Sequence, residues 1–409
     1  MKELFYDCIS LVIIASILLY LFSDKIRHSA IWKATVTPLA SIIGSGFLVS
    51  APLLLHTTGP WATLVMLVIV VVAYGIGSSI RFNIAHVEPL LNDKNHSFYW
   101  VRKLDALSKP TLGAAYLISV AFYLQLLSAF ALKGIHIQNE TLENALTTAI
   151  LIFIGAFGYL KGLTMLELLE TFSVNIKLSI ICALTGCFIV YNMQLLSLGK
   201  WQLDVESHDS LWHGFRTVLG MLIIIQGFET SRYLGEKYQP ELRIKTMRYA
   251  QYLTAIIYVV FVGGSSVIFK HISEISETTI IDLSRVVSYV LPILLIIAAL
   301  LSQFSAAISD TLGGGGLISE GLKNRISSNR AYIIIAILAI VLTWATNIYE
   351  IITISSKAFS LYYALQLTIS IYYLYSQSSE IKYKNYYGVL FGALLLIMIM
   401  VLFLGIPIE

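Results

Sequence analysis

Twelve long apolar runs, separated by short polar segments, constrain this sequence more than any other feature. A helix needs about 20 mostly apolar residues to cross a bilayer, and only helices and closed barrels satisfy their backbone hydrogen bonds there. A barrel would need short segments of alternating polarity, whereas these runs are continuous. The sequence therefore predicts an all-α integral membrane protein with about 12 transmembrane helices. The predicted spans lie near residues 4–22, 37–55, 61–83, 111–133, 145–161, 168–194, 212–234, 248–269, 286–310, 331–347, 354–376 and 387–405.

The composition excludes several other classes of protein. Charged residues make up 12% of the chain, whereas soluble proteins carry about 25%. An ordinary soluble enzyme, a disordered chain and a nucleic-acid-binding domain are therefore excluded. The sequence contains no phosphate-binding loop or other catalytic motif, so we expect neither an enzyme nor a cofactor. The three cysteines lie inside apolar runs, which argues against a disulfide framework or a metal site.

The basic residues predict the orientation of the chain. Of the 27 lysines and arginines, 19 lie in one set of alternate loops or at the adjoining span ends, and five lie on the opposite side. The remaining three are within spans: Lys177, Arg216 and Lys357. Because basic loops stay in the cytoplasm, both termini should face outward, in an inner or plasma membrane. The first run has a weak basic start and no clear cleavage site, so we interpret it as an uncleaved span. Five tyrosines of the last spans are interpreted as an interfacial belt: Tyr362, Tyr363, Tyr372, Tyr373 and Tyr375.

Two predicted spans contain glycine where a simple membrane anchor would carry leucine. Gly44 and Gly46 lie at mid-depth in the second span, and Gly227 precedes an acid, Glu229, inside the seventh. Glycine weakens a helix by up to about 1 kcal/mol, and an intramembrane carboxylate costs about 2.5–3.5 kcal/mol. Two such sites predict a chain of two structural halves, typical of an inverted-repeat transporter with a site at the bilayer midplane. For the glycines alone, close packing of helices through small residues is the alternative.

The residues at these sites resemble those of the amino acid–polyamine–organocation (APC) superfamily of secondary transporters. The stretch Ile43–Phe47 resembles the first core helix of the family, and Gln226–Thr230 resembles the sixth. Lys177, with the apolar run after it, is similar to the fifth. The resemblance extends over residues 37–405, so the first span lies outside it. One departure is the stretch Glu88–Asp93, which lacks the glycine pair and tyrosine that usually follow the second core helix, and this leaves the substrate open.

The resemblance implies a LeuT-type fold, in which two inverted five-helix repeats precede one peripheral helix. The repeats would cover about residues 37–195 and 212–376. Residues 1–36 would then form an extra N-terminal transmembrane helix and its linker, and residues 37–409 the transporter domain. The resemblance also implies that both glycine-containing spans are unwound at their glycines.

The resemblance further implies a substrate site formed by both breaks. In amino acid carriers of this kind, amides freed at the first break hold the substrate carboxylate, and carbonyls of both breaks receive its ammonium. The dipoles of the half-helices favour the same arrangement. Phe228 would be an aromatic gate over the substrate, or it would only pack against its neighbours. The implied substrate-binding residues are Ile43, Gly44, Ser45, Gly46, Gln226, Gly227, Phe228 and Glu229.

Lys177 is the basic residue that lies deepest in a predicted span. A buried ammonium must pair, reach the interface or lose its proton. Lys177 matches the position where proton-coupled relatives carry a lysine in the place of a coupling sodium ion, so it is a candidate coupling group. The alternative is a structural ion pair with Glu229 or Asp310. Glu229 is a second candidate proton acceptor, or it braces the broken helix by accepting backbone N–H bonds.

Hydroxyl groups in the ninth span leave sodium as an alternative to protons as the coupling ion. Ser302, Ser305 and Ser309 share one helical face, and Asp310 follows them. In sodium-coupled LeuT-type proteins, hydroxyls of the eighth core helix complete a sodium site, although serines also join helices. Because a sodium ion and the Lys177 ammonium would compete for one space, the sequence favours protons over sodium.

These features together predict a secondary active transporter that moves an amino acid, or a related small amine or zwitterion, by alternating access. The predicted partners are this small molecule, protons and the lipid bilayer. Two alternatives stay open, an inorganic-cation transporter of the same fold and a non-transporting membrane scaffold or sensor. Divalent-metal relatives carry an Asp-x-x-Asn-type first break and a methionine in the sixth core helix, and this sequence has neither.

Overall fold

The computed structural model describes residues 2–44, 46–91, 99–161, 164–203, 205, 210–235, 237–271, 276–322, 325–376 and 383–408. The structure is 87% helix, and the residues it describes include no strand. The predicted all-α fold class is therefore confirmed.

Fifteen α-helices, numbered in chain order, make up the described part of the chain. The first eight are α1 (Lys2–Leu21), α2 (Asp24–Arg27), α3 (Ala30–Gly44), α4 (Phe47–Thr58), α5 (Ala62–Phe82), α6 (Tyr99–Gly134), α7 (Glu140–Lys161) and α8 (Thr164–Ser197). The other seven are α9 (Leu211–Gly220), α10 (Pro240–Ser265), α11 (Thr279–Arg285), α12 (Leu291–Gly321), α13 (Ser328–Ala345), α14 (Ile348–Ser376) and α15 (Lys384–Leu404). Short 3₁₀ or π segments lie at Gly59–Trp61, Asn83–Val87, Glu88–Leu90, Leu222–Ile225, Phe228–Leu234 and Ile268–His271.

Each of the twelve predicted spans corresponds to one helix or to a divided helix. The second span divides into α3 and α4, and the seventh into α9 and two 3₁₀ segments. The ninth begins at Leu291, later than predicted, because residues 286–290 form a turn between the short helix α11 and α12. Among the described residues, seven helical stretches are long and apolar enough to cross a bilayer, and the stretch Ala30–Leu90 contains two of the predicted spans.

Helices α6 and α12 run antiparallel through the bundle. Lys109, near the start of α6, pairs with Glu320 at the end of α12 at 2.6 Å, and Lys133 at the end of α6 pairs with Asp282 of α11 at 2.7 Å. α14 also packs against α6, and α3 and α8 pack against α12. The end of the bundle that holds Lys109 and Glu320 adjoins the loops richest in basic residues. We call it the basic end.

The N-terminal helix α1 packs along α8. The hydroxyl of Tyr6 donates to Oε1 of Gln194 at 2.6 Å. Asp7 accepts hydrogen bonds from the hydroxyl of Ser288 and from the N–H of Val290, immediately before α12 begins. α1 therefore holds α8 and the start of α12 together, at the end of the bundle opposite the basic end.

Two tyrosines predicted to form an interfacial belt are buried instead. Tyr362 and Tyr363 have relative exposures of 0% and 1%, because α14 packs against α6. Tyr375 is 60% exposed, as a belt residue would be. The belt prediction is therefore wrong for Tyr362 and Tyr363, which belong to the interior of the bundle.

Candidate functional site

The first break separates α3 from α4 in the middle of the second span. Gly46 has a φ of +140°, a conformation that residues with a side chain rarely adopt. α3 approaches α12 so closely that a Cβ on Gly44 would lie 2.6 Å from Cβ of Ala306. Ile43 is buried beside Gly44. Ser45, predicted to bind substrate with these residues, lies outside the described residues.

The second break lies between α9 and the 3₁₀ segment Phe228–Leu234. Gly227 has a φ of +121°. A Cβ on Gly227 would lie 2.5 Å from Oγ of Ser41 and 2.6 Å from the backbone nitrogen of Ile42. Both spans are therefore broken where the sequence predicts, and the two breaks contact each other directly.

Tyr258 of α10 joins the two breaks. Its hydroxyl lies 2.9 Å from the carbonyl oxygen of Ile42 and 2.6 Å from that of Ile224. Both carbonyls lie near the ends of half-helices, where the peptide dipoles leave partial negative charge. The hydroxyl proton can be donated to only one of them at a time. The sequence reasoning missed Tyr258, because a tyrosine in an apolar helix does not reveal its partner.

Lys177 of α8 directs its ammonium at the first break. Nζ donates to the carbonyl oxygen of Ala40 at 3.0 Å and lies 3.4 Å from Oγ of Ser302. The residue has a relative exposure of 0%. Ser305 donates instead to the carbonyl of Ser302 in its own helix, at 3.0 Å. Of these two candidate hydroxyls, the structure brings Ser302 to Lys177 and directs Ser305 elsewhere.

The side chain of Glu229 contacts the backbone of its own break. Oε2 accepts the N–H of Gly227 at 2.9 Å and the hydroxyl of Tyr363 at 2.8 Å. Phe228 is buried, and its ring stacks on that of Tyr363 with centroids 5.3 Å apart. In this conformation the geometry matches the bracing interpretation of Glu229 and the packing interpretation of Phe228.

Asp310 and Gln226 both contact α6. The hydroxyl of Ser119 donates to Oδ2 of Asp310. Nε2 of Gln226 donates to the hydroxyl of Tyr123 at 2.6 Å. Both Asp310 and Gln226 are buried. Helix α6 therefore forms a polar wall beside the breaks, which the predicted site residues did not include.

A cavity of 660 Å³ extends from this region toward the basic end. It follows α12 from Leu301 to Glu320, which is about 28 Å of helix. Ser305 and Ser309 lie on its wall, together with Tyr116 of α6 and Thr230 of the second break. The structure is therefore open toward the basic end.

Aromatic side chains fill the opposite side of the breaks. The ring centroid of Phe47, at the start of α4, lies 4.2 Å from that of Phe261 and 5.4 Å from that of Tyr258. Phe188 of α8 stacks on Phe261 with centroids 6.2 Å apart. All four side chains are buried. They block the path from the breaks to the end opposite the basic end.

Two buried arginines form ion pairs at the basic end. Nη2 of Arg232 donates to Oδ1 of Asp105 at 2.6 Å, and Nη2 of Arg243 donates to Oε1 of Glu88 at 2.6 Å. Arg232 also donates to Gln366, and Arg243 donates to the carbonyl of Arg232. These bonds tie the second break to α6, α10 and α14. The sequence reasoning treated both arginines as loop charges, because their acidic partners lie 127 and 155 residues away.

Comparisons with known proteins agree with this architecture. A sequence family described as an APC superfamily transporter matches residues 24–405. An uncharacterized protein of Aquifex aeolicus (strain VF5) is 41% identical over 396 residues, which cover 96% of this chain and 95% of that protein. A Na⁺-coupled sialic acid symporter, solved in a substrate-bound outward-open state, is similar with a TM-score of 0.54, 12% identity, and coverage of 99% of this chain and 98% of its own. The structural likeness confirms the predicted LeuT-type fold with its two inverted five-helix repeats.

Proposed function

Because the chain belongs to the APC superfamily of transporters, we propose that it moves an amino acid, or a related small amine or zwitterion, by alternating access coupled to protons. The observation that carries this proposal is the position of Lys177, whose buried ammonium lies on the Ala40 carbonyl at the first break. In this proposal residues 37–409 form the transport domain, and residues 1–36 precede it with α1, α2 and the start of α3. The protein is a multi-pass membrane protein, and we assign it to the inner or plasma membrane.

The proposed substrate site is the point at which the two breaks meet. Carbonyls near the ends of the half-helices, such as those of Ile42 and Ile224, carry partial negative charge that suits an ammonium group. Amides at the start of α4 carry partial positive charge that suits a carboxylate. A zwitterion would satisfy both. The proposed site residues are Ile43, Gly44, Ser45, Gly46, Gln226, Gly227, Phe228 and Glu229.

The coupling proposal rests on what Lys177 contacts. Its ammonium supplies a positive charge at the Ala40 carbonyl and beside the Ser302 hydroxyl, where a sodium ion would also find oxygen ligands. Loss of the proton would remove the charge that joins α8 to α3. Thr37 of α3 and Ser173 of α8 both line the cavity, so weakening this contact changes a wall of the access path. Protonation of Lys177 would thereby be linked to access.

In the proposed cycle, this structure corresponds to one of the two conformations that alternating access requires. The cavity reaches the basic end, which the basic loops assign to the cytoplasm, and aromatic side chains close the other end. Transport would need a second conformation in which Phe47 and Phe261 separate and the basic end closes.

The test is uptake by the purified full-length protein in liposomes. A panel of amino acids, amines and inorganic cations would be offered with a pH gradient, with a sodium gradient and with neither. We expect accumulation of an amino acid or amine that depends on the pH gradient and not on sodium.

Each other outcome contradicts a defined part of the proposal. Accumulation driven by sodium alone would overturn proton coupling. Accumulation of inorganic cations only would favour an ion carrier of the same fold. If no compound on the panel accumulates, although the protein is folded in the liposomes, the proposal would give way to a membrane scaffold or sensor.

A further inference from the structure

A buried and an exposed arginine lie close together where α5 packs against α10, away from the transport site. Arg81 lies in the last turn of α5 and has a relative exposure of 5%. Arg248 is exposed and lies in the third turn of α10, about 15 Å along that helix from Tyr258. Arg248 interacts electrostatically with both Arg81 and Tyr74. Neither arginine has a role in the proposed transport mechanism.

Neighbouring side chains fix the position of Arg81. Its guanidinium donates to Oε1 of Gln251 and to the carbonyl oxygen of Tyr74, and it lies 4.6 Å from the centroid of the Tyr74 ring. Gln251 in turn donates to the carbonyl of Ala73 at 2.9 Å. A Cβ on Gly77 would overlap the side-chain amide of Gln251, so α5 and α10 are in close contact here. The guanidinium is therefore held in place, as in a built binding site.

The positive charge of this patch has no acidic partner among the residues that the structure describes. The ion pairs found among the described residues include none with Arg81, Lys245 or Arg248. Lys245 and Arg248 also lie in the N-terminal half of α10, toward the positive end of the helix dipole. Like charges placed together in this way favour an anion from outside the protein.

The surface around the arginines is amphipathic. The rings of Tyr74 and Tyr252 stack with centroids 5.2 Å apart, and their hydroxyls lie 2.8 Å from each other. Tyr252 is 48% exposed, as expected of an aromatic side chain at a membrane interface. Val71 of α5 and Ile256 of α10 continue the same surface away from the basic end and are 62% and 63% exposed. A polar anion site therefore adjoins a strip of apolar, membrane-facing surface.

We propose that Arg248, beside the buried guanidinium of Arg81, binds the phosphate headgroup of an anionic phospholipid from the leaflet at the basic end. Arginine suits this role because its guanidinium can donate two parallel hydrogen bonds to phosphate oxygens. Anionic lipids are enriched in the cytoplasmic leaflet, which the basic loops assign to this end. The acyl chains lie along Val71 and Ile256, and the tyrosine pair lies at headgroup level. A free phosphate ion would use the arginines but not the apolar strip.

The test is native mass spectrometry of the full-length protein in neutral detergent with added lipid. We expect phosphatidylglycerol to be retained over phosphatidylcholine. Arg248→Gln should reduce retention of phosphatidylglycerol about fivefold, because one basic residue near a membrane surface contributes about 1 kcal/mol. Arg248 is exposed, so the variant should fold. Arg330→Gln, which removes an exposed arginine of α13 at the same end of the bundle, is the matched control and should retain lipid like the unmodified protein.

Three results would overturn the proposal. Equal retention of the two lipids would show that the patch does not recognise anionic headgroups. Equal loss in the Arg248→Gln and Arg330→Gln variants would show a general effect of charge. Displacement of the lipid by millimolar glycerol 3-phosphate would identify a site for a free phosphate ester, because a lipid anchored along the apolar strip resists a soluble competitor.

Discussion

The two breaks are stabilised in opposite ways. At the first, a cation from another helix, Lys177 of α8, donates to the carbonyl of Ala40. At the second, an anion from the same segment, Glu229, accepts the N–H of Gly227 only two residues away. Each side chain therefore carries the charge that suits the half-helix end it meets, but one is supplied by a different helix and the other by the break itself.

This difference bears on which group can couple proton binding to access. The contact of Glu229 with the N–H of Gly227 lies within one short segment and moves with the second break, and its partner in another helix is the neutral hydroxyl of Tyr363 in α14. The Lys177 contact joins two separate helices, and any relative movement of α3 and α8 must change it. A charge that couples sites must interact differently with the two conformations. By this criterion we propose Lys177 as the coupling group and Glu229 as the brace.

The largest effect is expected for Gly227→Ala, which forces the two breaks apart. The added methyl group would lie within 2.6 Å of Ser41 and Ile42, at a φ of +121°. We expect a loss of about 3 kcal/mol or more in unfolding free energy, and loss of uptake. Gly199→Ala is the control, because Gly199 has a φ of +64° with nothing within 4 Å. Equal melting temperatures for the two variants would show that contact between the breaks is unimportant.

The next largest effect is expected for Lys177→Gln, which removes the charge at the first break. Uptake driven by a pH gradient should fall on the order of tenfold, since coupling free energies of 1–3 kcal/mol are typical. Exchange of substrate without a gradient should persist. Lys357→Gln is the control, because Lys357 also lies within a span but is partly exposed. Unchanged proton-dependent uptake in Lys177→Gln would show that Lys177 is not the coupling group.

A smaller effect is expected for Tyr258→Phe, which deletes the hydroxyl between the carbonyls of Ile42 and Ile224. The lost hydrogen bond should lower the unfolding free energy by about 1 kcal/mol. We also expect a shift in the balance of access, measured by labelling of cysteines introduced along the cavity. Tyr252→Phe, which removes an exposed hydroxyl from the same helix, is the matched control. Identical labelling in both variants would show that the hydroxyl does not join the breaks.

The smallest effect is expected for Glu229→Gln. The amide oxygen can still accept the N–H of Gly227 and the hydroxyl of Tyr363, so the loss of stability should be below about 1 kcal/mol. The pH dependence of uptake should be retained. Glu229→Ala should cost more, about 1–3 kcal/mol, because it leaves buried donors without an acceptor. If Glu229→Gln abolishes the pH dependence of uptake while Lys177→Gln retains it, Glu229 and not Lys177 is the coupling group.

The spans, the breaks and the fold could be predicted from the sequence, because each follows from residues that lie close together in the chain. Long apolar runs predict the helices, and Gly46 and Gly227 mark the points where the spans are broken. Lys177 and Glu229 stood out because charge is rare within membrane spans. All of these signals lie within a few residues of the feature that they predict.

The partners of these residues could not be predicted in the same way. Lys177 contacts a backbone carbonyl, and every residue has one, so the sequence does not indicate Ala40. Tyr363 was assigned to the interface because tyrosine suits both an interface and a buried hydrogen bond, and only packing distinguishes them. The pair Arg232–Asp105 depends on contact between residues that lie 127 positions apart. The partners of these residues are therefore determined by long-range packing, which local sequence patterns do not show.

The contacts of α1 constrain the order in which the protein can be assembled. Tyr6 pairs with a residue 188 positions later, and Asp7 with one 281 positions later. During synthesis from the N-terminus, α1 enters the membrane long before α8 and the start of α12 exist. This helix must therefore wait in the lipid until the chain as far as α12 has been made. Its docking marks a late step of biogenesis, and quality-control factors that recognise unassembled helices would find α1 exposed until that step.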